Sequence, residues 1–282
     1  MNLLGAAGPI STTDELRRLL VGLKMARALE ALDDVLRRLE EGSLSALEAI
    51  HLLLAEECQT RETRRIKAGL MTARLTRLKT LQDYDFSFQP SLERERILAL
   101  AQLDFIARKE VVHLLGPPGT GKTHLATALG VEAVKAGKSV YFGNLAEIVA
   151  SLEKAEREGN LQLRIRFLTR NSLMIVDEIG YLPLTKAGAN LFFQLVNARY
   201  EKGAMILTSN RAFKEWGEIF GDNVVAAALL DRLLHHAVVI KIEGNSYRLR
   251  AHRDLMPETL VRPYDPDQPP KRKRGRPRKE TD

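Results

Sequence analysis

The chain has 282 residues, 45% of them apolar and 28% charged, a balance that fits one large soluble domain with a smaller one beside it. No uncharged apolar run approaches the roughly 18 residues of a spanning helix, residues 1–11 lack the pattern of a secretion signal, and the lone Cys58 excludes an internal disulfide, so a cytoplasmic protein without a membrane partner is expected. The net charge of +7 resides in 271–279, which carries seven basic residues and no acid; without it the 43 Lys and Arg fall to match the 36 Asp and Glu.

Residues 12–80 read as helical. Thr12 with Glu15 and Ser45 with Glu48 have capping-box spacing. Met25, Leu29, Leu32, Leu36 and Leu39 form one apolar stripe, Gly42 breaks the run, and Leu47, Ile50 and Leu54 begin a second; both stripes are expected to face a core. Cys58 is expected to pack on a helix. Residues 61–79 hold seven basic residues and one acid, among them Arg64, Arg65, Arg74 and Arg77. That run fits a solvated helix face and also fits contact with nucleic-acid phosphates. Residues 83–91 have no periodicity and contain Pro90, which places a domain junction there.

Residues 110–115 form a short apolar run, hence a buried strand, and 124–134 are rich in Ala and Leu at helical spacing. Between them, Gly116, Pro117, Pro118, Gly119, Thr120, Gly121, Lys122 and Thr123 satisfy the phosphate-loop pattern G-x-x-x-x-G-K-[ST], and His124 follows. Glycines let backbone N–H groups close on phosphate oxygens, Lys122 reaches the β- and γ-phosphates, and the Thr123 hydroxyl ligates Mg²⁺. Further strands are expected at 139–142, 173–176, 204–208 and 237–243, with helical stretches such as 189–200 between them. This is the pattern of an α/β fold with a parallel sheet flanked by helices.

The strand at 173–176 runs into Asp177 and Glu178, fitted to hold Mg²⁺ and to polarise an attacking water respectively. The strand at 204–208 leads to Asn210, placed to contact a γ-phosphate or orient that water. Thr208 and Ser209 are less clearly assigned. A transition state rich in negative charge calls for an inserted arginine; Arg232 is one choice, with Arg199, Arg211, Arg248 and Arg250 left open. From about Pro257 the chain loses its apolar period and reads as disordered. Arg274-Gly275-Arg276-Pro277 there resembles an AT-hook, fitted to a narrow A·T-rich minor groove, although a generic basic tail has the same composition.

Taken together, the phosphate loop, Asp177-Glu178, Thr208-Ser209-Asn210 and Asp231-Arg232 resemble an AAA+ ATPase of the initiator and helicase-loader group. The fuller resemblance, over about residues 15–252, is to IstB-like ATP-binding proteins, bacterial transposition helpers. It rests on 102–106, 116–124, 177–184, 207–211, 215–217, 228–236 and 246–248. The resemblance implies ATP and Mg²⁺ as cofactors, Lys122 and Thr123 as the Walker A pair, Asp177 and Glu178 as Walker B, Asn210 as sensor 1, and Arg232 as a finger acting on a neighbouring subunit. It implies a homo-oligomer that binds duplex DNA, is stimulated by it, and helps a cognate transposase, in a nucleoid-associated setting. The expected domains are a helical assembly and DNA-binding domain (1–82), the ATPase domain (83–255) and the basic tail (256–282). A DnaC-like helicase loader and a nucleotide-switched DNA scaffold remain as alternatives. No integrase-type acidic triad is evident, so the recombinase is expected to be another chain.

Overall fold

The structure is a computed structural model that describes residues 11–250; the basic tail, with Arg274 and Arg276, lies outside the described residues. The chain forms two compact units that divide between Gly69 and Leu70.

The first unit is built from α1 (Thr12–Gly22), α2 (Ala26–Glu40) and most of α3 (Ala46–Thr72). The Ser11 hydroxyl caps α1 by accepting from Thr13 N–H at 3.3 Å, one residue earlier than the Thr12 spacing predicts. The Ser45 box forms as expected: Ser45 N–H donates to Glu48 at 2.8 Å and Glu48 N–H donates back to Ser45 Oγ at 3.3 Å. Leu20, Ala28 and Leu32 are buried, with Leu16, Met25, Leu29, Leu36 and Leu53 packed on them, so the first apolar stripe faces a core. The second stripe does not. Leu47, Ile50 and Leu54 are 78%, 56% and 49% exposed. Instead, α3 turns Ala49, Leu53 and Glu57 inward, residues spaced by four and therefore on one helix face. The buried Glu57 carboxylate accepts from Arg27 N–H at 3.0 Å, in the first turn of α2, and from Arg61 at 2.8 Å. A carboxylate at a helix N-terminus, paired with a guanidinium, sets which face of α3 turns inward. Cys58, next along the helix, is exposed and does not pack.

The second unit opens with α4 (Arg94–Ala101), α5 (Asp104–Ala107) and β1 (Val111–Leu115). There follow α6 (Lys122–Lys135), β2 (Val140–Asn144), α7 (Leu145–Arg157), α8 (Leu161–Thr169), β3 (Leu173–Ile179), α9 (Lys186–Arg199) and β4 (Ala204–Ser209). The last described elements are α10 (Trp216–Phe220), α11 (Asn223–Leu234) and β5 (Ala237–Lys241). The strands form one parallel sheet in the order β2-β3-β4-β1-β5. Both faces are covered, as the continuous apolar runs of the strands require. Along β3, Leu173 and Ile175 pack with α4, α5 and α6, while Met174 and Val176 pack with the residues of α7 to α11 on the other face.

The edge strand β2 is protected by chain that precedes the ATP-loop region. Phe142 N–H donates to Ala73 O at 3.0 Å, and Ala73, Leu75 and Tyr84 are buried in the α6-side core. Residues 70–84 are thus part of the second unit, earlier than the junction expected at 83–91. Among the described residues no helix is long and apolar enough to cross a membrane.

Two buried titratable side chains brace the sheet. Arg199 is 1% exposed, and its guanidinium donates to five backbone carbonyls, those of Leu168, Thr169, Asn171, Ser172 and Ala204. It ties the end of α8 to the start of β4 and is unavailable as a finger. His113, central in β1, lies 3.0 Å from Leu233 O through Nε2, and its Nδ1 has no hydrogen-bond partner. Burial pushes its pKa down to about 4, against the opposing pull of the Leu233 carbonyl. The unfolded chain therefore binds a proton near pH 6.5 that the folded chain refuses until about pH 4. Stability is fully present above pH 6.5 and declines by up to about 3 kcal/mol as the pH falls to about 4. His113→Gln keeps a donor for Leu233 and removes the titration. Its stability, measured by denaturant unfolding from pH 7 to 4, should decline less steeply than the parent's; equal slopes would assign the acid loss to other groups.

Candidate functional site

The phosphate-loop residues connect β1 to α6, with Gly121 as the cap before Lys122. Gly119 and Gly121 adopt left-handed φ angles of 81° and 94°. Side chains there would also collide with neighbours. A Cβ on Gly119 would lie 2.0 Å from Ser246 Oγ, and one on Gly121 would lie 2.6 Å from the Tyr84 ring. The loop is therefore clasped from two sides, by 84 and by 246–247, where Tyr247 N–H donates to Gly119 O at 2.9 Å. Thr120 Oγ1 donates to Pro117 O at 2.9 Å, which tightens the turn, while Pro118 is exposed. His124 Nε2 lies 2.8 Å from Thr80 O, and its ring meets Tyr84 edge-on at 5.3 Å. His124 thereby anchors the clasp.

Lys122 Nζ donates to Gly116 O and Pro117 O, both at 2.7 Å. Asp177, 5% exposed near the end of β3, faces Thr123. Its Oδ1 accepts from Thr123 Oγ1 at 3.0 Å and from Thr208 Oγ1. A hydroxyl and a carboxylate facing each other form a hard-oxygen pair of the kind Mg²⁺ takes. Glu178, by contrast, is exposed. It sits in a bulge of the β3–β4 pairing between Val176 and Ile179, with φ of 63°, and its N–H donates to Thr208 Oγ1 at 3.0 Å. Successive strand residues point to opposite sides, so Asp177 faces inward and Glu178 outward. Glu178 borders a cavity of about 240 Å³ with Asn144, Leu145, Ala146, Tyr181, Leu182 and Leu184. Asn210, just past β4, has a buried Oδ1 with no hydrogen-bond partner, and a Cβ on Gly180 would lie 3.1 Å from it. A buried amide oxygen left unbonded is a polar group in want of a donor.

Residues 119–124 line a cavity of about 280 Å³ together with Lys79, Asp83, Tyr84, Asp85, Gln89, Tyr247 and Arg248. Sequence reasoning missed most of these. The stretch 83–91 has no periodicity, and its only signal is the three aromatics Tyr84, Phe86 and Phe88 among polar residues and Pro90. The arginines separate cleanly. Arg248 lines the cavity of its own chain, Arg211 pairs with Glu215 at 2.9 Å, and Arg250 stacks on Tyr247 at 3.9 Å. Arg232 is not among the cavity-lining residues. It donates to Asn197 Oδ1 at 3.0 Å and lies 4.8 Å above the Phe193 ring. The basic run 61–79 is divided between the two units. Arg64 and Arg65 belong to the first unit, where Arg65 pairs with Glu62 at 2.5 Å, whereas Arg74 and Arg77 belong to the second.

Burial pushes the pKa of Lys122 down to about 8, Asp177 opposing that shift and Arg248 adding to it. An anion binding at the loop favours the ammonium form. Above about pH 8, binding must therefore take up a proton, and affinity falls as the pH rises. Titration calorimetry with a non-hydrolysable ATP analogue should show affinity falling only about two-fold from pH 7 to 8. Between pH 8 and 9 affinity should weaken several-fold, with proton uptake revealed by buffers of different ionisation heat. Constant affinity to pH 9 would show that Lys122 stays charged.

Comparison with known proteins agrees with this geometry. The family model "IstB-like ATP binding protein" matches residues 18–254. The insertion sequence IS21 putative ATP-binding protein of Pseudomonas aeruginosa is 46% identical over 239 residues, covering 85% of this chain and 90% of that protein. Its counterpart from IS5376 of Geobacillus stearothermophilus is 43% identical, covering 75% of this chain and 84% of that one. Among solved structures, AMPPCP-bound DnaA from Aquifex aeolicus superposes with a TM-score of 0.51 at 21% identity, over 64% of this chain and 55% of that one. DnaI superposes with the same score at 20% identity, over 60% and 92%. These two likenesses show a shared fold, that of AAA+ proteins.

Proposed function

The chain belongs to the IstB-like ATP-binding protein family, and on that premise we propose that it is a DNA-stimulated AAA+ ATPase that assembles on duplex DNA and assists a partner transposase. The observation that carries the ATPase reading is the Thr123–Asp177 pair beside Lys122, closed under a loop whose glycines admit nothing larger. In this reading ATP lies along 119–124, its phosphates against the N–H groups at the start of α6 and the Lys122 ammonium. Thr123 and Asp177 would hold Mg²⁺, which would supply positive charge to offset that of the phosphates. Glu178 takes a proton from the attacking water; the water oxygen bonds to γ-phosphorus as the bond to the bridging oxygen breaks, leaving ADP and phosphate. Asn210 donates through its amide nitrogen to the γ-phosphate or that water. Arg232, absent from its own cavity and held by Asn197 on the surface of α11, serves a neighbouring subunit. The helical unit and the basic tail, with Arg274 and Arg276 as an AT-hook, add DNA contact.

ATP hydrolysis should rise when duplex DNA is added to the purified chain. Glu178→Gln should lower turnover by about 10²- to 10⁴-fold while nucleotide binding persists, because an amide accepts no proton. No hydrolysis by the parent, or a Glu178→Gln rate equal to it, would defeat the reading.

The trans role of Arg232 has its own test. Arg232→Ala should bind nucleotide and lose hydrolysis by at least about 10²-fold. Mixing it with Lys122→Ala should restore part of the activity, since some interfaces would join an intact loop to an intact arginine. Mixed oligomers that stay inactive would place the finger elsewhere, with Arg248 then acting in cis.

A further inference from the structure

The second unit carries a cluster of arginines that the nucleotide site does not use. Residues 161–172 contain Arg164, Arg166 and Arg170 and no acid. On α8, Ile165 and Leu168 are buried, which turns Arg166, Phe167 and Arg170 to solvent. The guanidinium carbons of Arg164 and Arg170 lie 5.2 Å and 4.5 Å from the same Phe167 ring. Arg164 also donates to Ser151 Oγ at 3.1 Å and reaches the Tyr141 hydroxyl at 3.5 Å, and Arg74 lies 5.4 Å above the Tyr141 ring. Among the described residues none of these four arginines has a carboxylate within ion-pair distance. Elsewhere on the surface, arginines such as Arg17, Arg37, Arg108 and Arg211 are paired.

Like charges crowded without acids repel, and the two rings offset only part of that repulsion. Stacking uses the flat face of a guanidinium; Arg164 spends part of its N–H edge on Ser151 and Tyr141, whereas Arg170 keeps its edge free. That edge is the part that donates, often two bonds at once, to phosphate oxygens. An arginine held flat against an aromatic ring has already lost much of its rotamer freedom, so less is lost on binding.

We propose that the surface formed by Arg164 and Arg170 at Phe167, with the exposed Arg166 one turn before Arg170 and continued by the exposed Arg74, is a binding site for the phosphate backbone of duplex DNA. The proposal rests on the DNA-binding reading above and deepens it. It moves the principal phosphate contacts from the α3 run to the edge of the ATPase sheet at β2 and α8. The contacts are to backbone, so they carry affinity without sequence preference.

The test uses the full chain, tail included, so that the tail contributes equally to every sample. Affinity for a mixed-sequence duplex is measured from 50 to 200 mM salt for the parent and for R164Q/R166Q/R170Q. Loss of three phosphate contacts should reduce the salt slope by roughly 2 to 3 and weaken binding about 10- to 100-fold at the lower salt, with DNA-free ATP hydrolysis unchanged. R166Q/R170Q, which alters exposed side chains alone, should give a proportionate loss and covers the case in which the triple variant misfolds. Unchanged affinity and slope in a folded variant would overturn the site while leaving DNA binding intact. A parent chain that binds no duplex would overturn both. Poly-glutamate competing as well as DNA of equal charge would assign the face to an acidic protein segment and overturn the proposal.

Discussion

One carboxylate organises the nucleotide site. Asp177 is buried at the end of β3, and such a group is tolerated only when its oxygens are bonded. Here the bonds come from Thr123 on α6 and Thr208 on β4. The Thr208 hydroxyl, while donating to Asp177, accepts from the backbone N–H of Glu178. The result is a directional chain from Glu178 N–H through Thr208 to Asp177. The acid that faces the loop thus fixes the backbone of the acid beside it where β3 bulges, while the alternation of the strand sends the two side chains to opposite sides. A hydroxyl at 208 is needed for both ends; an isosteric valine would leave the carboxylate and the amide each short of a partner.

The parallel sheet was legible because strands buried on both faces are written as unbroken apolar runs. Each of the five expected strands corresponds to one that forms, to within a few residues at its ends. The phosphate loop was legible because its glycines are irreplaceable at fixed spacing. What escaped was whatever depends on a single long-range contact. Leu47, Ile50 and Leu54 have the spacing of a core face, yet Glu57 bonding to the start of α2 turns the neighbouring face inward. Residues 83–89 have no periodicity to read, since they act through one ring and a few side chains laid against a turn. Apolar pattern records what a segment buries on average, and it is silent about a clasp.

Arginine shows the same limit from another side. Arg199, Arg232 and Arg170 are equivalent as letters. The fold gives the first five backbone carbonyls and no water, the second an amide and a ring at a surface, the third a ring and an open edge. Carbonyl dipoles at the end of α8 offset only part of the lost hydration of the buried cation, whose pKa burial lowers to about 10. Which arginine is structural is thus a property of what surrounds it.

The left-handed backbone at Glu178 has a consequence for how this protein can change. A side chain with a Cβ holds that conformation at a cost of about 1 kcal/mol, which glycine would not incur. The most stable residue at 178 is therefore not the one that carries a carboxylate. Selection for thermal robustness alone would drift towards glycine, whereas under the role proposed above for Glu178 selection for turnover keeps the strained acid. The fold is in this respect slightly less stable than its own sequence neighbourhood permits, and the difference is concentrated at one residue.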